Sequence, residues 1–410
     1  MTNNSSNTNN SSNSKKSKLN KLAADNSIPS EIKNLISKSL SRRTVLAGVG
    51  GAGAALALAS CSSGSGGGGG QLRWANWPEY LDLADDGISF PTLTAFIEQT
   101  GIDVKYSEVI NDNDEFNAPV QPKLQANKDI GYDIVTLTDW MTARWARLGY
   151  LQDLDEAALP NKVNILDSLL NPTFDPGRKK TMTYQGIMGG FGWNKEKIPG
   201  GIKTVDQLFA PANKGKVEVV SEMRDTIGII LQYQGVDIAK PFTEDQFMNA
   251  IDFMTGKISD GFIRQVKGND YVQDLFNGDA VAVIGWSGDI FQLALENDGK
   301  FDFAIPESGG TISGDNFMIP MTSSKATEAS TLMNYYYDPV VAATAAAYIN
   351  YVTPVKGAQE AMESIDPELA KSEFIFPSAS TLSRLKIFRD LTVAEETSFQ
   401  TAFQEASGNI

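Results

Sequence analysis

Short apolar runs alternate with amphipathic segments along most of the chain. The runs are rich in β-branched or aromatic residues and are bounded by Gly, Pro or Asp, which is the pattern of short strands. They begin at Leu72, Val104, Tyr132, Gly186, Val217, Ala280 and Phe301. Between them, windows such as 90–101 and 247–255 repeat apolar residues at the spacing of a helix. We therefore predict an α/β protein with mostly parallel sheets, in which ligands bind beyond the carboxyl ends of the strands.

The segment at residues 41–61 has a different pattern, which is typical of an export signal. The pair Arg42 and Arg43 precedes a weakly apolar run at 45–59 that is diluted with Gly and Ala. This run is shorter than the ~20 residues that a membrane-spanning helix needs. We therefore predict a cleaved signal peptide over residues 1–60, and the arginine pair resembles the signal of the twin-arginine export route.

The apolar run ends in Leu-Ala-Ser-Cys, which resembles a bacterial lipobox with Cys61 as the lipidated residue. Residues 62–70 contain only Ser and Gly, so residues 61–70 are predicted to be a lipidated cysteine and a flexible tether. The protein is therefore expected on the outer face of the cytoplasmic membrane, held there by its lipid. The chain after residue 70 is longer than one compact core usually holds, so two domains are expected.

Composition narrows the chemistry of this body. Cys61 is the only cysteine of the chain, and there is no histidine, which removes the commonest general base and the commonest zinc ligand. We therefore predict that the protein is not an enzyme and that it binds no cofactor. Residues 1–60 hold eight of the 35 basic and two of the 50 acidic residues, so the rest of the chain carries a net charge of −21. Such a body repels nucleic acid and attracts cations, although charge alone identifies no ligand.

Aromatic and acidic side chains follow most of the predicted strands. They occur in six segments at strand ends or in loops: 76–80, 138–140, 221–225, 286–289, 313–316 and 350–354. Ring faces attract cations, carboxylates make charge-assisted hydrogen bonds with ammonium groups, and flat rings cover methylene chains. An aliphatic polyamine presents this alternation of charge and CH₂. The pattern therefore predicts a polyamine site, which requires no histidine.

From residue 71 onward, the chain resembles the spermidine/putrescine-binding proteins of ABC importers. The resemblance rests on the order and spacing of 76–80 (Asn-Trp-Pro-Glu-Tyr), 100–104 (Thr-Gly-Ile-Asp-Val), 132–135 (Tyr-Asp-Ile-Val), 284–288 (Ile-Gly-Trp-Ser-Gly), 315–320 (Asp-Asn-Phe-Met-Ile-Pro) and 350–354 (Asn-Tyr-Val-Thr-Pro). It implies a two-lobed periplasmic-binding-protein fold of type II, with a mostly parallel, helix-flanked sheet in each lobe. Lobe 1 would comprise 71–184 plus 308–357, and lobe 2 would comprise 185–307 plus 358–410. Hinge crossings would lie near Tyr184, Glu307 and Lys356.

The resemblance also implies the residues of the site, with a polyamine held between the lobes. Its rings would be Trp77, Tyr80, Trp140, Trp286 and Tyr351, its acids Glu222, Asp225 and Asp315, and its polar loop residue Thr138. Two departures leave the preferred polyamine open. Ser313 stands where the family often has tryptophan, and Phe388 lies near the position of a glutamine that contacts one amine end.

The implied partners are the permease subunits of an ABC transporter, with the protein acting as a monomer. Two alternatives remain. The same fold could bind another organic cation or small solute, such as a thiamine-like cation, an amino-acid derivative or a ferric chelate. A surface hydrolase could use Glu222 and Asp225, which would share one helix face, but that spacing also suits ion pairing with Arg224.

Overall fold

The computed structural model describes residues 70–84 and 86–408. The predicted signal peptide and the lipidation site at Cys61 lie outside the described residues, as does the predicted tether except for Gly70. Among the described helices, none combines the length and the apolar character that crossing a membrane requires.

Ten strands of the described part form one mixed sheet. They are β1 Leu72–Asn76, β2 Val104–Glu108, β3 Ile134–Thr138, β4 Thr181–Asn194, β5 Val217–Val220, β6 Ile263–Lys267, β7 Ala282–Trp286, β8 Phe301–Ala304, β9 Gly310–Met318 and β10 Leu385–Lys386. The order is β2-β1-β3-β9-β4-β7-β5-β6, with β10 beside β9 and β8 beside β4. Strand β1 pairs in parallel with β2 and β3, and β5 pairs in parallel with β6 and β7, as predicted. The central strands β4 and β9 run antiparallel to each other. In addition, β4 runs antiparallel to β7, and β9 runs antiparallel to β3.

Thirteen α-helices lie in the described residues and pack around this sheet. They are α1 Pro91–Thr100, α2 Asn113–Gln125, α3 Asp139–Arg147, α4 Val205–Leu208, α5 Met223–Tyr233, α6 Glu244–Ser259, α7 Tyr271–Asn277, α8 Ser287–Glu296, α9 Ala326–Tyr336, α10 Pro339–Ile349, α11 Ala358–Ile365, α12 Ala379–Ser383 and α13 Val393–Ser407. The two helices predicted from apolar spacing correspond to α1 and α6. Helix α1 begins with a proline at its first position and ends at Gly101, whose φ of 73° suits a residue without a side chain.

The long central strands β4 and β9 connect the two lobes. Their pairing runs from Thr181 opposite Met318 to Gly189 opposite Thr311, with a register shift between Thr183 and Gln185. Strand β3 pairs with the carboxyl-terminal half of β9, and β7 pairs with the carboxyl-terminal half of β4. One set of parallel strands therefore lies on each side of the β4–β9 pair. The residue limits proposed for the lobes stay a prediction.

Strands β6, β9 and β10 are absent from the sequence prediction. Polar and glycine residues dominate the first half of β9 (Gly-Thr-Ile-Ser-Gly-Asp), so this stretch has the composition of a loop. Segment 313–316, expected to be a loop, is part of this strand. Strand β6 carries only one fully buried residue, Ile263, and lacks the continuous apolar run of its neighbours.

Candidate functional site

A small cavity lies where β1, β3, β5 and β7 end. It encloses about 20 Å³, room for about one water molecule. Its lining residues are Trp77, Tyr80, Thr138, Ile187, Glu222, Asp225, Asn269, Trp286, Ser313, Asp315 and Tyr351. The structure thus brings together at this cavity all of the residues predicted for the site except Trp140, which lines an adjoining cavity of about 1060 Å³.

Asp315 is the most completely buried acid of this cavity, with 1% of its surface exposed. It lies on β9 directly opposite Thr138, the last residue of β3. The hydroxyl of Tyr80 donates a hydrogen bond to its carboxylate at 2.8 Å, and that of Thr138 donates one at 2.9 Å. Both donors are neutral, so their hydrogen bonds replace only part of the hydration that the carboxylate loses on burial. Burial therefore raises the pKa of Asp315 to about 7.

Asp225 has a similar environment on the other lobe, in the first turn of α5. The indole N–H of Trp286 donates to one carboxylate oxygen at 2.8 Å, and the hydroxyl of Thr311 donates to the other. Burial raises the pKa of Asp225, and these two hydrogen bonds oppose the shift more strongly than the nearby charge of Arg224. The approach of Thr311 requires glycine at position 189, where a Cβ atom would collide with its hydroxyl.

Glu222 caps the amino terminus of α5, where its side chain accepts from the backbone N–H of Arg224. The indole N–H of Trp140 donates to its carboxylate at 2.8 Å, and the amide of Asn113 donates at 3.2 Å. Burial raises the pKa of Glu222 to about 8, with Arg224 as the largest opposing influence. Because Glu222 is the cap and Asp225 lies in the first turn, the two acids flank the start of the helix.

Four aromatic rings border the same cavity in two perpendicular pairs. The rings of Trp77 and Trp286 are 6.4 Å apart at 70°, and those of Tyr80 and Tyr351 are 5.3 Å apart at 68°. The indole nitrogen of Trp77 is buried and has no hydrogen-bond partner among the described residues. The ring of Tyr351 packs so closely on the backbone at 288 that a Cβ atom there would overlap it. These pairs provide apolar walls next to the acids.

Tyr351 is held by an acid that the sequence analysis did not propose for the site. The carboxylate of Asp289, in the first turn of α8, accepts from Tyr351 at 2.6 Å and from Tyr271 at 2.9 Å. Burial raises the pKa of Asp289 to about 6. The sequence signal was available, since Asp289 belongs to the quoted segment after β7. Its carboxylate holds the hydroxyl group of Tyr351 and does not itself line the cavity.

Two more lining residues were missed, Ile187 and Asn269. Ile187 lies on the crossing strand β4, and Asn269 follows β6, a strand that the apolar pattern did not reveal. Ser313 lines both the small cavity and the larger one, so the two spaces adjoin at this position. Phe388 lies in the wall of the larger cavity only and packs against the ring of Phe242.

The two lobes touch directly beside the cavity through the loop that follows β2. Ser221 donates a hydrogen bond to Asp112, and the backbone N–H of Asn269 donates to the carbonyl of Asn111 at 3.2 Å. The Asn113 amide bridges Thr138 and Glu222. The arrangement is a closed cleft in which rings and carboxyl groups from both lobes face each other. A bound cation would remove the cost of ionising these buried carboxyl groups.

Comparisons with known proteins identify a family with this fold. A family described as bacterial extracellular solute-binding protein matches residues 92–373. The chain is 27% identical over 328 residues to the putrescine-binding periplasmic protein PotF of Escherichia coli (strain K12), covering 76% of this chain and 84% of the relative. It is 26% identical over 310 residues to the spermidine/putrescine-binding periplasmic protein of the same organism, covering 75% and 83% respectively.

A solved structure supports the same fold. The spermidine/putrescine ABC transporter substrate-binding protein PotD from Streptococcus pneumoniae matches with a TM-score of 0.66 at 22% identity. The match covers 82% of this chain and 98% of that chain. The two-lobed, type II periplasmic-binding-protein fold expected from the sequence is thereby confirmed.

Proposed function

The chain belongs to the bacterial extracellular solute-binding proteins, and we propose that it captures a polyamine of the putrescine or spermidine type between its lobes for delivery to an ABC transporter. The observation that carries this proposal is the environment of Asp315. This fully buried carboxyl group lies in a ring-lined cavity and accepts only neutral hydrogen bonds. An ammonium group would supply the missing counter-charge through charge-assisted hydrogen bonds.

The composition of the cavity favours a polyamine over other solutes. A sugar site does not need several buried acids, and an anion would be repelled by Asp315, Asp225 and Glu222. A compact metal ion would leave the aromatic pairs without a partner, whereas methylene groups would pack against them. The relatives named for putrescine and spermidine support the same choice.

In the proposed complex, Asp315 and Asp225 bind ammonium groups, and Thr138 holds Asp315 in place. The cavity has room for about one water molecule, so the rings of Trp77 and Trp286 move apart to cover the methylene chain, and the perpendicular pair of tyrosines closes the end of the box. Because the ligand contacts residues of both lobes, binding favours the closed arrangement over an open one. We propose that the lobes move about hinges at the predicted crossings near Tyr184, Glu307 and Lys356. This role requires no catalytic step.

The same proposal covers location and partners. Export by the twin-arginine route and attachment through a lipid on Cys61 are supported by the sequence features at 41–70. Action as a monomer beside permease subunits is supported by the resemblance to the binding proteins of ABC importers. A protein held at the outer face of the membrane can release its solute to a transporter in the same membrane.

The proposed function can be tested by thermal unfolding of the chain from residue 62 onward in the presence of candidate solutes. Putrescine and spermidine at 100 times their dissociation constants should stabilise the fold by about 2.7 kcal/mol, a shift on the order of 5 °C. The panel should include thiamine, glutamate, glucose and a ferric chelate. A shift with one of these and none with the polyamines would contradict the proposal.

The lipid anchor has its own test. Labelled palmitate should enter the wild-type protein and not Cys61→Ser, because the thioether to the lipid forms only on the cysteine. The variant should then appear in the medium or periplasm. A matched control is Ser62→Ala, which leaves the lipobox intact and should stay labelled. Membrane retention of Cys61→Ser would show that another segment anchors the chain.

A further inference from the structure

Trp140 and Glu222, both expected to contact the ligand, already have a cation between them. The guanidinium carbon of Arg224 lies 4.3 Å from the centroid of the Trp140 ring. Its Nη1 atom lies 3.9 Å from Glu222 Oε1, and its Nη2 atom lies 3.8 Å from Glu396 Oε1. The guanidinium thus occupies the position between ring and acid that a ligand ammonium group would take.

Arg224 is poorly satisfied by the protein itself. Its side chain is only 12% exposed, and both ion-pair distances exceed that of a hydrogen bond. Its Nη1 atom is buried and has no hydrogen-bond partner among the described residues. A second guanidinium, that of Arg144, lies 4.8 Å from the same ring, but it is anchored by hydrogen bonds to Asp114 and Glu396. Arg224 is therefore the basic residue positioned against Glu222.

Because of Arg224, fewer carboxylates are left to bind the ammonium groups of a ligand than there are acids around the cavity. Glu222 has Arg224 as its counter-ion, whereas the direct partners of Asp315 and Asp225 are neutral hydroxyl and indole groups. Among the described acids that line the cavity, Asp315 and Asp225 make no ion pair, and these two carboxylates match two ammonium groups. A third ammonium group would have to displace Arg224 or lie close to its charge, and like charges repel at this distance.

We infer that Arg224 acts as a resident cation that fills the Trp140–Glu222 end of the site and thereby selects diamines over triamines. The inference rests on the proposed polyamine function and identifies the class of polyamine. Arg224 is thus a specificity-determining residue, which extends from the first turn of α5 and lines the larger cavity beside Trp140 and Glu222.

The test is the ratio of dissociation constants for spermidine and putrescine, measured by calorimetry on the chain from residue 62 onward. The wild type should prefer putrescine. Arg224→Gln should shift the ratio toward spermidine on the order of tenfold, because the vacated ring and acid can accept the third ammonium group. Arg224→Met keeps the apolar stem against Trp140 and should shift the ratio in the same direction. This variant replaces Arg224→Gln in the test if the glutamine variant does not fold. Arg224→Lys should retain the diamine preference.

Arg147→Gln is the matched control. Arg147 contacts the same Glu396 at 2.7 Å and carries the same charge, but its guanidinium is not placed over Trp140 or beside Glu222. It should leave the ratio unchanged. The inference is overturned if the wild type prefers spermidine, if Arg224→Gln and Arg224→Met keep the wild-type ratio, or if Arg147→Gln shifts it equally. A failure of the proposed function is distinct, since no variant would then bind any amine.

Discussion

Asp315→Asn should weaken polyamine binding by about 1.5–3 kcal/mol, roughly 10- to 150-fold in the dissociation constant. The asparagine oxygen can accept a hydrogen bond from one of the two hydroxyl groups and its NH₂ group can donate to the other, so the geometry of the wall is kept while the counter-charge of the ammonium group is lost. Without ligand, the variant should be at least as stable as the wild type, because a buried ionisable group has been removed. Titration calorimetry and thermal unfolding measure the two effects separately.

Asp82→Asn is the matched control for this variant. Asp82 is also buried, its pKa is also raised to about 7 by burial, and it accepts hydrogen bonds from Thr92 at the start of α1. It does not line the cavity. This substitution should therefore leave polyamine affinity unchanged. If Asp315→Asn binds as tightly as the wild type, Asp315 only holds the hydroxyl groups of its neighbours.

Polyamine affinity should fall steeply as the pH drops below 7. In the free protein burial raises the pKa of Asp315 to about 7 and that of Glu222 to about 8, and it raises the pKa of Asp225 as well. A bound ammonium group favours the charged carboxylate, so binding releases protons where these groups are still protonated. The ligand amines stay charged throughout this range. For Asp315 alone, the change from pH 8 to pH 5.5 should cost roughly 30-fold in affinity.

The stability of the free protein should change in the opposite direction. A carboxyl group whose pKa is raised by folding stabilises the fold below its unfolded pKa, and this contribution is lost as the pH rises through the folded pKa. The free protein should therefore lose the stabilising contribution of Asp315 and Glu222 between about pH 4 and 8.

The pH dependence of binding can be measured through the protons that binding releases. Calorimetry in buffers of different ionisation enthalpy counts these protons. The pH dependence should become shallower in Asp315→Asn, and a wild-type affinity that is constant from pH 5.5 to 8.5 would contradict the account.

The sequence predicted the positions around the cavity because the carboxyl ends of strands converge at one edge of an α/β sheet. Trp77 follows β1 and Trp286 is the last residue of β7, and the structure places both at the cavity. The strand that carries Asp315 was harder to recognise. Its first half faces a polar cleft and holds little apolar surface, so its pattern does not differ from that of a loop.

What the sequence could not provide was the set of partners that each side chain finds. Trp140 was expected among the rings of the polyamine box, but its side chain donates to Glu222 and lies beneath the guanidinium of Arg224. Asn269 approaches the cavity only because β6 extends the sheet beside β5. Such contacts depend on three-dimensional packing between segments far apart in the chain, which no local pattern encodes.

The central claim is that an ammonium group binds Asp315 inside the ring-lined cavity. A crystal structure of the chain from residue 62 onward with putrescine tests this most directly. One amine nitrogen should lie about 2.7–2.9 Å from an Asp315 carboxylate oxygen, with the methylene chain packed between Trp77 and Trp286. Putrescine bound elsewhere on the protein, or bound in the cavity with both nitrogens away from Asp315, would contradict it.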